Sequence, residues 1–154
     1  KDIVNTKIKF REPYRPFAPS VLAERTEEFF ELPNAVEHYP ARYMLYVVPV
    51  RPSKHSALPA ITHVDGTGRL QTVFEETNPR YYGLIKRFSQ ATGIPAVLNT
   101  SFNLKGEPIV TTPANAFSTF SRSEMDMLFL GNFVVQKEQL QRLPQMQAEA
   151  VGAK

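Results

Sequence analysis

Most of the chain mixes apolar and polar positions without a fixed period, but two stretches show helical spacing. In "NPRYYGLIKRFSQATG", Tyr81, Leu84, Ile85, Phe88 and Ala91 recur at three- and four-residue intervals and make one apolar stripe. Asn78 can cap this segment, Pro79 suits its first turn and Gly93 can end it, so a helix is predicted between them. "TPANAFSTFSRS" repeats the logic more briefly, with Thr112 as cap, Pro113 first, and Ala116, Phe117 and Phe120 on one face. The β-branched and aromatic runs "RPFAPSVL", "RYMLYVVPV", "PAITHVD", "RLQTVFEE", "PAVLN", "MDMLFLG" and "NFVVQK" read as strands. "HVDGTGRLQTV" reads as a hairpin, since a short glycine-bearing cluster separates two strand-like runs. Strands outnumber helices, and the predicted class is α/β (α+β): a mixed, largely antiparallel sheet with a few covering helices. Residues 1–138 are expected to form this domain, and 139–154 a glutamine- and alanine-rich tail, helical or disordered.

Thirteen prolines in 154 residues restrict where long helices can lie, because proline interrupts helix interiors. The length suits a single domain able to bury roughly 70% of the surface its unfolded form exposes. The longest uncharged apolar run, "YMLYVVPV", is far short of the ~18 residues a membrane span needs, so no membrane segment is expected. With no initiator methionine and no signal-like stretch, the chain reads as a piece of a longer polypeptide. Absence of cysteine excludes disulfides, thiolate metal sites and cysteine nucleophiles, and fits a cytoplasmic location.

The formal charge of +3 is unevenly placed. Residues 1–25 hold six basic side chains against three acidic ones, and the remainder balances at twelve each. A nucleic-acid binder spreads its basic residues along a face or groove, whereas this surplus sits in one short segment. The pattern favours a local anion site over a nucleic-acid surface.

Three stretches hold residues suited to chemistry. In "KIKFREPYRPFAP", Lys7, Lys9, Arg11 and Arg15 fall at odd positions. On an extended chain Lys9 and Arg11 would face one ligand while Phe10 packed inward; on a helix they would diverge. A solvated basic edge strand is the plainer alternative. "NTSFN" offers the amides of Asn99 and Asn103 and the hydroxyls of Thr100 and Ser101, with Lys105 and Gly106 following. Such a strand exit can cradle an anion, or its side chains can satisfy their own backbone. In "THVDGTGRLQ", His63 and Asp65 could pair for acid–base work or ligate a metal, but two ligands make no metal site and none is assigned. A hydrogen-bonded His63–Asp65–Arg69 network across the hairpin is the structural alternative. A serine-hydrolase reading is weak because the glycine-flanked nucleophile elbow is missing.

The segments "KIKFREPYRPFAPSVL", "PAITHVDGTGRLQTV", "VLNTSFNLKGEPIV" and "DMLFLGNFVVQK" occur in the order and spacing of a known domain. From about Lys1 to Lys137 the chain resembles the C-terminal domain of the carbamoyltransferases typified by nodulation and antibiotic-tailoring enzymes. That domain is similar in fold to the YrdC family, whose K-x-R and S-x-N motifs correspond here to Lys9-Phe10-Arg11 and Ser101-Phe102-Asn103.

The resemblance implies an open, twisted YrdC-like sheet and an adenylation reaction, in which carbamoyl phosphate and ATP, with Mg, give carbamoyl-adenylate. Lys9, Arg11, Ser101 and Asn103 would be catalytic. Arg15, His63, Arg69 and Thr100 would join them in binding ATP and carbamoyl phosphate. Such chemistry asks the protein chiefly for positioning and charge neutralisation. The resemblance also implies a partner, an N-terminal domain of the actin-like fold in the same polypeptide, which would carry a histidine-bound iron and complete the transfer to a hydroxyl. Two further classes stay open: an RNA-binding module related to tRNA modification, and a non-catalytic docking domain.

Overall fold

The computed structural model describes residues 1–140. The chain divides into two units, one formed by Lys1 with Tyr14–Thr100 and the other by Asp2–Pro13 with the residues from Ser101 onward.

The first unit is built on a four-stranded sheet of β1 (Ala18–Leu22), β2 (Tyr46–Pro49), β3 (Thr67–Val73) and β4 (Ala96–Asn99), in the order β2-β3-β1-β4. β1 runs parallel to β3, with Ser20 opposite Gln71, and antiparallel to β4, with Ser20 opposite Val97. β2 and β3 are antiparallel. All five residues of β1 are buried, because a central strand covered on both faces has no solvent side to alternate toward.

Helix α1 (Pro79–Thr92) forms where the pattern predicts it. The Asn78 side chain accepts from the Tyr81 amide at 3.3 Å, and Gly93 closes the helix at φ 79°, a left-handed conformation that suits glycine. Its buried face is rotated from the predicted stripe. Tyr82, Ile85 and Ser89 point inward, and Tyr82 and Ile85 pack with Leu22 and Val73, while Leu84 is 58% exposed and Phe88 42%. Tyr82 can take the inner position because its hydroxyl donates to Glu24 Oε1 at 2.6 Å, giving a buried ring a partner for its polar end.

The "PAITHVD" run is not a strand, and the predicted hairpin into β3 does not form. Pro59 precedes a set of tight turns in which the amides of Ile61 and Thr62 both donate to the Leu58 carbonyl, at 3.2 and 3.1 Å. The antiparallel neighbour of β3 is β2 instead, with Val47 opposite Arg69.

The second unit contains a π-helical segment (Val4–Lys9), helix α2 (Pro113–Ser121) and a two-stranded antiparallel ribbon of β5 (Met127–Leu130) and β6 (Phe133–Gln136). Lys7 to Lys9 of the "KIKF" stretch are therefore helical, not extended. Thr112 caps α2 by accepting from the Asn115 amide at 3.1 Å. Ala116, Thr119 and Phe120 form the buried face, whereas Phe117, predicted on that face, is 43% exposed. Lys137 closes the other end of α2, donating to the carbonyls of Phe120, Ser121 and Ser123 at 3.0, 2.7 and 2.6 Å. Residues 137–140 begin a helical turn, and the rest of the predicted tail lies outside the described residues. No helix among the described residues is long and apolar enough to cross a membrane.

Candidate functional site

In the second unit the two YrdC-type motifs meet. Lys9 ends the π-helical segment and keeps only 7% of its surface exposed. Its ammonium donates to the Ser101 carbonyl, and to the carbonyl and Oδ1 of Asn103 at 3.0 and 2.9 Å. These bonds occupy the three N–H donors that an ammonium has. The loop is further knitted from within: Ser101 Oγ donates to Asn103 Oδ1 at 2.7 Å, and Asn103 Nδ2 donates to the Glu107 carbonyl at 2.8 Å. Glu107 in turn accepts the Leu104 amide at 3.4 Å and pairs with Arg122 at 2.5 Å. That pairing holds the Glu107 carboxyl below its usual range.

The chain reverses immediately after Lys9. Phe10 adopts a left-handed conformation, φ 49°, and is 46% exposed, so it does not pack inward as an extended chain would require. Arg11 then returns toward the helical segment, where its Nε donates to Asn5 Oδ1 at 2.8 Å. Lys9 and Arg11 are still neighbours electrostatically. Burial chiefly, and the Arg11 charge next, push the Lys9 proton affinity down. Lys9 is thus a buried anchor and not a solvated edge-strand lysine. The loop's polar side chains do satisfy one another, as the plain turn reading anticipates, but they do so around a buried cation.

Asn5 was not singled out by the sequence, yet it is fully buried. A helical reading of "VNTKIK" would have flagged it, since residues four apart share a helix face and Asn5 lies four before Lys9.

The remaining predicted residues belong to the first unit. Arg15 is exposed, and Thr100 is exposed at the end of β4. Asn99 points into the sheet, donating to Gln71 Oε1 at 2.7 Å, an oxygen that also accepts from Ser20 at 2.5 Å. His63 and Asp65 turn to Thr67 rather than to Arg69: the Thr67 hydroxyl lies 3.1 Å from His63 Nδ1 and donates to Asp65 Oδ1 at 2.7 Å. The Thr67 hydroxyl and amide bonds hold the Asp65 carboxyl below its ordinary value. Arg69 stands exposed on β3, so the predicted three-residue network is replaced by a local turn. An open cavity of about 470 Å³ is bordered by Lys1, Tyr14, Pro16, His63 and Asp65. Among the described residues, no group of three or more His, Cys, Asp or Glu gathers to hold a metal ion.

The model of the carbamoyltransferase C-terminus family matches residues 1–137. The chain belongs to this family. Nodulation protein NolNO of Sinorhizobium fredii is 50% identical over 137 residues, covering 89% of this chain and 20% of that protein. Nodulation protein NolO of Bradyrhizobium diazoefficiens is 50% identical over 137 residues, covering 89% of this chain and 25% of that protein. The 3'-hydroxymethylcephem-O-carbamoyltransferase of Amycolatopsis lactamdurans is 40% identical over 104 residues, covering 68% of this chain and 19% of that protein. The carbamoyltransferase C-terminus domain thus spans a quarter or less of these relatives.

Proposed function

We propose that this chain is the carbamoyl-activating part of an O-carbamoyltransferase. Water cleaves carbamoyl phosphate to carbamate and inorganic phosphate, releasing a proton. A carbamate oxygen then attacks the α-phosphorus of ATP, taken with its magnesium as substrate, forming carbamoyl-adenylate and expelling pyrophosphate. The rest of the polypeptide, with the actin-like fold and bound iron that the resemblance implies, passes the carbamoyl group to an acceptor hydroxyl.

The observation that carries this reading is the convergence of Lys9, Ser101 and Asn103 in one unit, with the Arg11 charge close enough to depress Lys9. Two cations held together on a firm scaffold suit a ligand with several anionic oxygens, and preorganised charge of this kind lowers the barrier where charge develops. In this reading Arg11 and Ser101 face the phosphate or carbamoyl oxygens, and Lys9 and Asn103 set the loop that presents them. For Arg15, His63, Arg69 and Thr100, nucleotide contact is supported by the resemblance; His63 also borders the open cavity.

A second reading, a docking domain, has one observation in its favour. Met127, Phe129 and Val134 lie on one face of the ribbon at 50%, 71% and 50% exposure, and exposed apolar patches often mark contact surfaces. Calorimetry of the intact protein with ATP and carbamoyl phosphate separates the two. Heat of binding together with pyrophosphate release supports activation; neither signal at saturating ligand would leave only docking.

A further inference from the structure

We infer that Asn5 is the residue that aims Arg11, a positioning residue for the anion site; the inference rests on the activation reading above. Asn5 is wholly buried, an unfavourable place for an amide unless its hydrogen bonds are made. Several of them converge on a single neighbour. The Asn5 carbonyl accepts from the Arg11 amide at 3.0 Å and from the Phe10 amide, while Asn5 Oδ1 accepts from Arg11 Nε at 2.8 Å. Its Nδ2 donates to the Pro13 carbonyl at 3.3 Å, tying down the chain on the far side of Arg11.

The Arg11 amide is therefore referenced to the Asn5 main chain and its guanidinium to the buried Asn5 side chain. A guanidinium is planar, so holding Nε sets the plane and with it the direction of both Nη atoms, the pair that grips an oxyanion. The wide helical segment explains the spacing. An N–H reaching five residues back, from Phe10 to Asn5, followed by a left-handed residue, folds Arg11 over the start of the same segment. Asparagine is the side chain that meets all the demands. Aspartate would keep the acceptor but lose the donor to Pro13, and would set an anion against the guanidinium. Alanine would keep neither bond.

The experiment compares intact wild-type protein with Asn5→Ala, Asn5→Asp, Arg11→Ala and the Asn5→Ala/Arg11→Ala double variant. Three readouts are used: ATP affinity by calorimetry, melting temperature without ligand, and hydrogen exchange of the Arg11 Nε–H by NMR. Asn5→Ala is expected to weaken ATP ten- to hundredfold, the range of a charge-assisted hydrogen bond, and the double variant to bind no worse than Arg11→Ala. Asn5→Asp, which retains the acceptor, should keep the Arg11 Nε–H protected yet still weaken ATP; it also serves if Asn5→Ala fails to fold. Wild-type ATP affinity in Asn5→Ala, a loss there that simply adds to that of Arg11→Ala, or an Arg11 Nε–H that is unprotected in Asn5→Asp overturns the inference. A wild type that binds no ATP instead removes the activation reading, and the Nε–H exchange then decides alone whether Asn5 orders Arg11.

Discussion

The ammonium of Lys9 donates to both the carbonyl oxygen and Oδ1 of Asn103, at 3.0 and 2.9 Å, across ninety-four residues of chain. One buried side chain thereby joins a helical segment near the start of the sequence to a loop near residue 100. Lys9→Met, which keeps the stem and removes the donors, should lower stability by about 2 kcal/mol, within the range for bonds to a charged group and for acceptors left unpaired. Lys9→Arg should recover less than half of that, since a planar fork cannot replace three donors radiating from one nitrogen. Urea unfolding measures both; a loss under about 0.5 kcal/mol for Lys9→Met would show that solvent replaces these bonds freely.

Lys9 also leaves a mark on the alkaline limb of stability. Its folded proton affinity is depressed below the ordinary 10.5, by burial first and by Arg11 second. Between the two values the unfolded chain binds more protons than the folded one, so this residue makes stability rise with pH. The rise should be present in wild type and absent in Lys9→Met. Parallel stability–pH curves for the two proteins as the pH climbs to 10.5 would refute the shift.

The sequence revealed the caps and the sheet better than the faces. Asn78, Pro79 and Gly93 bounded α1 correctly because capping depends on local hydrogen bonds and backbone angles. The inward face of the same helix depended on Glu24, fifty-eight residues away, which makes Tyr82 a stable core residue. "PAITHVD" had strand-like composition, but the pairing of β3 with β2 left it no ladder to join. At the site, the residues of the K-x-R and S-x-N motifs were legible, while their geometry was not. An alternating basic pattern reads as extended, and nothing local announces a π-helical segment or the left-handed Phe10.

Tyr82 behaves oppositely to Lys9. Its hydrogen bond to Glu24, followed by burial, pushes its hydroxyl up to about 12. Between an ordinary value of 10.0 and that figure the folded state holds the proton that the unfolded state has lost, so its contribution is full below pH 10 and disappears as pH climbs toward 12. Tyr82→Phe should lower neutral-pH stability by about 1.5 kcal/mol and flatten this decline. In ultraviolet titration, wild type should show a late-ionising tyrosine that is missing from Tyr82→Phe.

Lys137 fastens the β5–β6 ribbon to α2 through the carbonyls of Phe120, Ser121 and Ser123. A cation on the last carbonyls of a helix is favoured by both hydrogen bonding and the helix dipole. Lys137→Ala should raise amide exchange in β5 and β6 by roughly tenfold, corresponding to about 1.4 kcal/mol, while leaving β1 and β3 of the other unit unchanged. Faster exchange spread evenly over all strands would mean that the lysine supports the whole fold and not this ribbon.

Direct contact between Lys9 and Asn103 changes what their coupling can reveal. Residues that touch are non-additive whether or not a ligand is present, so a double-mutant cycle on stability with Lys9→Met and Asn103→Ala should show an interaction of about 1 kcal/mol in the empty protein. That value is a baseline. If the loop they set also holds ATP, repeating the cycle at saturating nucleotide should enlarge the interaction, because ligand adds its binding free energy only to the protein whose loop is intact. Ser101→Ala tests the same point from the ligand side: its hydroxyl donates to Asn103 Oδ1, and its loss should weaken ATP about tenfold while costing at most about 1 kcal/mol of stability. An interaction free energy that stays the same with and without ATP, together with unchanged affinity in Ser101→Ala, would identify the loop as a structural clasp and locate the ligand elsewhere.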